Sequence, residues 1–443
     1  MPTLTKTEHP HQGCSRNRGT DSVIPTAEKS KQQLLIAGNG MAAGRLIDEI
    51  MKRSPDKFDI TVVGDELQGS YNRIMLSPVL AGELKHSDII QKDSKWYAAN
   101  NIRFYGGARV TSIQPENQSV KLENGKQIGY DHLVIATGSS PSKIPAKNQH
   151  LAHIFPFRTL DDVHTIDQVS QNAKSAIVVG GGLLGLEAAY GLAQKDIKVT
   201  LIHRSDWLLN RQLDKNAGDL LRKVMHNLLI DFRLGDEITQ FNGRDTVCSA
   251  SLKSGETLPC DLVVIATGIS PNAALATESG IETKRAILVD DFLNTSSANI
   301  SALGECCEHD GNTFGLVEPI WQQCTTLADR LTSDRLTPFS TKPVATKLKV
   351  SGVQLYSAGE FITRAHHHEI IMQDPANNMY RKLLLENDRI VGIVLFGDTR
   401  DGNEYFELMQ NQIPVSKYLP QLIFGQHYCK IDKTTIPSQS QVA

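Results

Sequence analysis

The chain has 443 residues, 40% of them hydrophobic, enough for two or three packed domains. A formal net charge of -3 supplies no basic field for nucleic acid or an anionic membrane surface, so neither is expected as a partner. The seven cysteines (Cys14, Cys248, Cys260, Cys306, Cys307, Cys324 and Cys429) show no CxxC and no paired ligand spacing. They read as buried or idle thiols of a reducing compartment, and no metal site is expected.

Residues 1–31 are polar, lack the apolar core of a secretory signal, and read as a disordered extension. The first βαβ pattern starts at Leu34-Leu35-Ile36-Ala37, passes a glycine turn and a helical stretch from Met41 to Lys52, and ends at Asp59-Ile60-Thr61-Val62-Val63. The segment His132-Leu133-Val134-Ile135-Ala136-Thr137-Gly138 reads as a buried strand closed by a tight turn, and it returns as Asp261 to Gly268. Between the two copies lies a second βαβ pattern: Ala176-Ile177-Val178-Val179, a glycine turn, a helix from Leu183 to Gln194, and Ile197 to Ile202. The weakly polar stretch Ala176 to Ala193 holds five glycines and Glu187, so it reads as strand and turn, not as a membrane helix. The protein is expected to be soluble and cytoplasmic. Pro338 to Pro343 reads as a linker. Beyond it, Lys382 to Leu385, a turn at Asn387-Asp388 and Ile390 to Phe396 read as a hairpin of a small α+β domain, and Thr434 to Ala443 as a frayed end. The fold class is α/β: two Rossmann-like dinucleotide-binding domains, the second inserted in the first, plus the C-terminal α+β domain. Expected boundaries are 32–157 and 270–337 for the first domain, 158–269 for the second, 338–420 for the third, and 421–443 for a tail.

The first turn is Gly38-Asn39-Gly40-Met41-Ala42-Ala43. Gly38 permits the turn, Gly40 lets a pyrophosphate approach the backbone, and Ala43 lets the helix pack close to the strand. An acid after the next strand holds a ribose in such folds. Gly64 occupies the usual position here, and Asp65 and Glu66 are both in range. The second turn places Gly180, Gly182 and Gly185 in the full GxGxxG spacing. His203 and Arg204 stand where NADH binders carry an acid. A cation there can meet a 2′-phosphate, although His203 bonded to a plain ribose beside a solvated Arg204 fits equally, so NADH and NADPH both stay open. Two turns in one chain suit one resident and one exchanging cofactor, and FAD with a nicotinamide nucleotide is the natural pair.

These motifs resemble the pyridine nucleotide-disulfide oxidoreductase superfamily, in its ferredoxin- and rubredoxin-reductase branch. Within it the chain is most similar to the FAD/NAD(P)H portion of assimilatory nitrite reductase large subunits and to electron-transfer subunits of assimilatory nitrate reductase. The resemblance rests on Gly38 to Met41, Tyr71-Asn72-Arg73 with Leu76-Ser77-Pro78, His203 with Arg211-Gln212-Leu213-Asp214, Leu303 to Cys306, Gly315 to Val317, Lys347 to Val353, and Val391 to Thr399. It implies a glutathione-reductase-like fold with FAD across the first turn. It also implies that Arg73, Ala136, Thr137, Gly138, Arg158, Gly268, Gly304 and Glu305 bind the cofactors. Glu318 and Trp321 would lie near the isoalloxazine ring; as plain helix-surface and core residues they read equally well.

Three departures narrow the expected activity. No cysteine lies between Met41 and Pro78, so a thiol beside the flavin, as disulfide reductases and peroxidases need, is excluded. Pro78 stands where relatives often carry a lysine paired with the acid that here is Glu187. If Glu187 acts near the nicotinamide, another donor or a raised pKa is expected. Full nitrite reductases continue into iron–sulfur and sirohaem domains; this chain ends at Ala443 and is expected not to reduce nitrite alone. The expectation is hydride transfer from NAD(P)H to FAD, then electron transfer to a separate iron–sulfur or haem protein, with nitrate reductase favoured over nitrite reductase. A rubredoxin or ferredoxin reductase is the nearest alternative, and a non-enzymatic redox sensor the alternative of another class. His366-His367-His368 reads as a solvated loop because adjacent side chains diverge.

Overall fold

The structure is a computed structural model that describes residue 3 and residues 31–333, 336–348, 350 and 352–429. The expected N-terminal extension, apart from residues 3 and 31, and the frayed end from residue 434 lie outside the described residues.

Leu34, Leu35 and Ile36 are each at most 1% exposed. A strand with no polar face needs cover on both sides, which a parallel sheet flanked by helices provides. Gln32–Ala37 accordingly sits at the centre of a five-stranded sheet, in the order Ile300–Ala302, His132–Ile135, Gln32–Ala37, Phe58–Gly64, Arg103–Gly106, with every pair parallel. Helix Met41–Arg53 packs against helix Val317–Thr332, and Arg53 Nε donates to Asp329 at 2.6 Å between them. A second five-stranded parallel sheet runs Ile154–Pro156, Leu262–Ile265, Ser175–Val179, Lys198–His203, Ile230–Leu234. Its strands fall in sequence between those of the first sheet, as an insertion requires.

The chain joins the second sheet already at Ile154–Pro156, ahead of the boundary expected after residue 157. Three residues with no alternation of exposure carry too little pattern to be seen as a strand. Each half also carries a three-stranded antiparallel sheet that the hydrophobic pattern does not announce. These are Val110–Gln114, Ser119–Leu122 and Gln127–Gly129, and Ile238–Gly243, Val247–Leu252 and Thr257–Pro259. A two-stranded ribbon, Ser139–Pro141 against Ile269–Pro271, bridges the two halves.

The C-terminal sheet is antiparallel, in the order Leu355–Gly359, Arg389–Phe396, Met379–Glu386, His368–Asp374, with helix Gly402–Gln410 beside it. Its tightest turn is the expected one: Asn387 and Asp388 adopt φ of 48° and 61°, the left-handed pair of a two-residue hairpin. Among the described residues, no helix is long and apolar enough to cross a membrane.

Candidate functional site

Both glycine turns open onto one cavity of about 1830 Å³. That is nearly twice the roughly 1,000 Å³ upper size of a pocket for a single drug-sized ligand. Each turn is built the same way. Gly38 has φ +117°, and a Cβ there would lie 2.1 Å from the carbonyl oxygen of Ala136; Gly180 has φ +121°, and its Cβ would lie 2.4 Å from that of Ala266. The repeated Ala-Thr-Gly segment is thus the wall behind the first glycine in both halves. A Cβ on Gly40 or Gly182 would meet nothing within 4 Å, so these faces are open.

Gly40 and Gly182 are the N-cap residues of helices Met41–Arg53 and Leu183–Ala193, and neither helix has a side-chain cap. Leu316, before helix Val317–Thr332, leaves that helix uncapped as well, and Leu316, Val317 and Glu318 line the same cavity. Thr159 and Asp214, by contrast, cap their helices with side-chain oxygens. Uncapped amides at the positive end of a helix dipole are anion-binding groups.

All the expected site residues line this cavity except Ala43 and Gly185. Those two are buried behind the turns, where a Cβ on Gly185 would lie 1.9 Å from the Gly180 carbonyl oxygen. Around the first turn the acids are paired. Glu66 accepts from the Tyr71 hydroxyl at 2.6 Å and pairs with Arg73, which also donates to the Arg158 carbonyl at 3.0 Å. Burial pushes the Tyr71 phenol far up. Asp65 pairs at 3.0 Å with Arg109, both well exposed. Glu305 accepts from the Ser139 hydroxyl at 2.7 Å and pairs with Arg158. Glu318 is exposed at the rim, and the Arg45 guanidinium lies 5.7 Å over the Trp321 ring.

At the second turn His203 is bonded within the chain. Its Nδ1 accepts the Gly181 amide at 3.1 Å, so the proton sits on Nε2, which donates to Asn210 Oδ1 at 3.1 Å. Burial lowers its pKa, and the charge of Arg204 lowers it further. His203 is therefore neutral with both nitrogens engaged, and it offers a 2′-phosphate no charge. Arg204 and Arg211 are exposed, line the cavity, and have no ion-pair partner among the described residues. The nearby acids are turned elsewhere: Asp236 accepts the amides of Glu237 and Ser254, and Glu237 pairs with Lys253.

Glu187 is 8% exposed and accepts from the Ser77 hydroxyl at 2.6 Å. Ser77 is a donor of the kind that the missing lysine called for, one residue before Pro78. Sequence reasoning passed over it because a serine carries no charge to count. It also passed over Asn272, whose amide donates to the Thr137 carbonyl at 2.9 Å and accepts from the Ser140 hydroxyl at 2.7 Å. A signal existed, since the repeat runs on as Ser139-Ser140-Pro141 and Ile269-Ser270-Pro271 before Asn272.

No cysteine lines the cavity among the described residues, and burial pushes the thiols of Cys306, Cys307 and Cys324 up. His366 and His367 do not diverge as expected: their rings sit 4.3 Å apart, with ligand atoms within 4.8 Å of Glu386. The Arg364 amide donates to His367 Nδ1 at 3.2 Å, however. The proton then sits on Nε2, facing Glu360 at 3.7 Å, and His367 presents a metal no free lone pair.

Residues 32–326 match the family described as Pyridine nucleotide-disulphide oxidoreductase, and residues 343–413 match the Rubredoxin NAD+ reductase C-terminal domain. The chain is 39% identical over 387 residues to a Nitrite reductase [NAD(P)H] of Bacillus subtilis (strain 168), covering 87% of this chain and 48% of that protein. It is 36% identical over 393 residues to the Assimilatory nitrate reductase electron transfer subunit of the same organism, covering 89% and 51%. It thus spans about half the length of these curated relatives. Among solved structures, NADH:rubredoxin oxidoreductase from Clostridium acetobutylicum aligns with a TM-score of 0.71 at 26% identity, covering 86% of this chain and 95% of that one. The paired glycine turns, the inserted second sheet and the family match over residues 32–326 establish that this chain belongs to the pyridine nucleotide-disulphide oxidoreductases.

Proposed function

We propose that this chain binds FAD at the first turn and NADH or NADPH at the second, and passes electrons to a separate iron–sulfur or haem protein. The observation that carries the reading is a single cavity walled by two open glycine turns, each leading into an uncapped helix. The residues present fit both nucleotides: the free amides suit two pyrophosphates, and Gly40 and Gly182 leave room for them. FAD, when bound, accepts a hydride from a reduced nicotinamide and can release electrons one at a time.

The chain's own groups bind and orient. Arg73 and the Arg158–Glu305 pair hold the flavin nucleotide beside Ala136, Thr137, Gly138 and Gly304, with Asp65 and Glu66 at the ribose end. Glu318 and Trp321 would flank the flavin ring, and Glu187, bonded to Ser77, would face the nicotinamide. Gly268 and the second turn, with Arg204 beside His203, hold the pyridine nucleotide. No protein acid or base is required for hydride transfer, since positioning supplies most of the effect. The corresponding domains are 32–153 with 270–337, 154–269, and 338–420, the first boundary moved to take Ile154–Pro156 with its sheet.

Assimilatory nitrate reductase is the favoured acceptor, with nitrite reductase next, and the two Bacillus relatives support an acceptor of this class without ranking the two. A second reading, a rubredoxin or ferredoxin reductase, is favoured by the C-terminal match over residues 343–413. The cytoplasm is the proposed location, supported by cysteines that are all free among the described residues. Anaerobic titration of the purified protein with NADH and NADPH tests the reading. Bleaching of a bound flavin is expected, and no bleaching with either nucleotide overturns it. Adding oxidised nitrate reductase or rubredoxin to the reduced protein then separates the two acceptors.

A further inference from the structure

The segment Leu209–Gln212 rims the second turn. It is held from two sides. On the cavity side, the Leu209 amide donates to the Gly181 carbonyl at 2.9 Å, and Asn210 Oδ1 accepts from His203. On the far side, the C-terminal sheet supplies three donors. Ser357 Oγ donates to the Gln212 carbonyl at 2.5 Å, and the Tyr380 hydroxyl and Lys382 Nζ donate to Asp214 Oδ2 at 2.7 Å and 2.8 Å. None of these three side chains lines the cavity.

Their convergence follows from sheet geometry. Ser357 and Lys382 are both registered against Val394, so they share a rung, and Tyr380 lies two residues before Lys382 on the same face. The other oxygen of Asp214 is already committed to the Ala217 amide at 3.1 Å, where it caps helix Lys215–His226. The Lys382 side chain is 4% exposed and that of Asp214 12%. A buried ion pair is a poor source of stability compared with apolar packing, but it admits one geometry where apolar packing admits several. Lys382 is further tied to Glu369 at 2.9 Å and to the Phe361 carbonyl at 3.2 Å, which fixes its ammonium in place.

We propose that Tyr380 and Lys382 are positioning residues for the pyridine nucleotide: the C-terminal sheet sets nucleotide affinity by holding the Leu209–Asp214 segment against the second turn. This rests on the reading of that turn as the NAD(P)H site. The segment carries Asn210, which orients His203, and Arg211 at the rim. Loosening Asp214 therefore reaches the turn through two residues that sit on the cavity.

The test uses the full-length, FAD-loaded protein with the substitutions Lys382→Met and Tyr380→Phe, followed by anaerobic stopped-flow reduction over a range of NADH and NADPH concentrations. The apparent Kd for nucleotide is expected to rise about 10-fold for Lys382→Met and about 3-fold for Tyr380→Phe, in line with loss of a charged and a neutral hydrogen bond. The limiting reduction rate and the FAD affinity, measured by titrating apoprotein with FAD, are expected to stay within about twofold. Tyr380→Phe removes one hydroxyl only and carries the test if Lys382→Met fails to fold. An unchanged nucleotide Kd in folded variants overturns the proposal. An equal loss of FAD affinity also overturns it, since that marks a general structural role. A parent protein that binds neither NADH nor NADPH overturns the reading of the second turn instead, and the positioning role with it.

Discussion

Arg204 and Arg211 are the two cations on the rim of the second turn that the chain does not use itself, among the described residues. His203 is neutral, and Asp236 and Glu237 are bonded to their own loop. A 2′-phosphate bound there would find two guanidinium groups within the same rim, so the pair tests whether the site accepts NADPH. Both guanidinium groups are exposed to solvent, so the two bonds together are worth about 1.5–3 kcal/mol, and replacing both arginines by alanine is expected to raise the KM for NADPH by roughly 10- to 100-fold. The KM for NADH is expected to move by less than about threefold. Steady-state reduction of ferricyanide with each nucleotide measures the ratio, and a ratio equal to that of the parent removes the arginines from the 2′-phosphate site. Ser77 is a second residue-scale case. Its hydroxyl holds the Glu187 carboxylate at 2.6 Å in a place where both are buried. Ser77→Ala is expected to slow nucleotide-driven flavin reduction about 10-fold, as expected for a misplaced orienting group, while reduction by dithionite is unchanged. Equal slowing by both reductants points away from a nicotinamide-facing role for Glu187.

At the scale of elements, strand His132–Ile135 carries a titratable group into the first sheet. His132 Nε2 meets Ser301 Oγ at 3.0 Å on the neighbouring strand. Burial, with the Arg330 charge behind it, lowers the imidazole pKa from 6.5 to about 4. A lowered pKa means that the unfolded chain takes up this proton first as pH falls. The stabilising contribution is whole above pH 6.5 and is lost as pH falls towards 4. The loss amounts to about 3 kcal/mol. His132→Gln is expected to remove that part of the slope in urea denaturation between pH 6.5 and 4, and parallel curves for parent and variant would contradict it. The same strand shows what a sequence can disclose about an element. The run into Ala136-Thr137-Gly138 and its copy at Gly268 stand out because a tight turn after a buried strand admits few residue types. The purpose of the repeat does not stand out, because the Ala136 carbonyl meets Gly38 across almost a hundred residues of chain. Strands such as Val110–Gln114 escaped notice because they are short and carry polar residues on one face. The state of His203 stayed open in the sequence because its charge depends on burial and on which nitrogen the Gly181 amide occupies, and neither is written in residue order.

At the scale of the whole molecule, the distance between the two glycine turns decides whether the reaction proposed for them is possible. The halves are joined by helix Leu76–Leu80 packed on helix Leu183–Ala193 and by the ribbon Ser139–Pro141 with Ile269–Pro271, which has Asn272 at its end and runs beside the two turns. Asn272 clamps the Thr137 carbonyl and the Ser140 hydroxyl through its side chain, while its amide donates to the Gly138 carbonyl at 3.0 Å. Asn272→Ala removes the side-chain clamp and keeps the backbone bond. Each turn is built within its own half, so each nucleotide is expected to bind within about threefold of the parent affinity. Their mutual placement is expected to loosen, and a misplacement on the order of 1 Å lowers a rate by up to about 100-fold. A drop of at least about 10-fold in the limiting rate of flavin reduction, at saturating NAD(P)H and with little change in either affinity, is the signature of the ribbon as a spacer. If the loss appears in FAD retention instead, Asn272 acts on the first turn alone, and the spacing of the two halves is fixed by the packed elements around it.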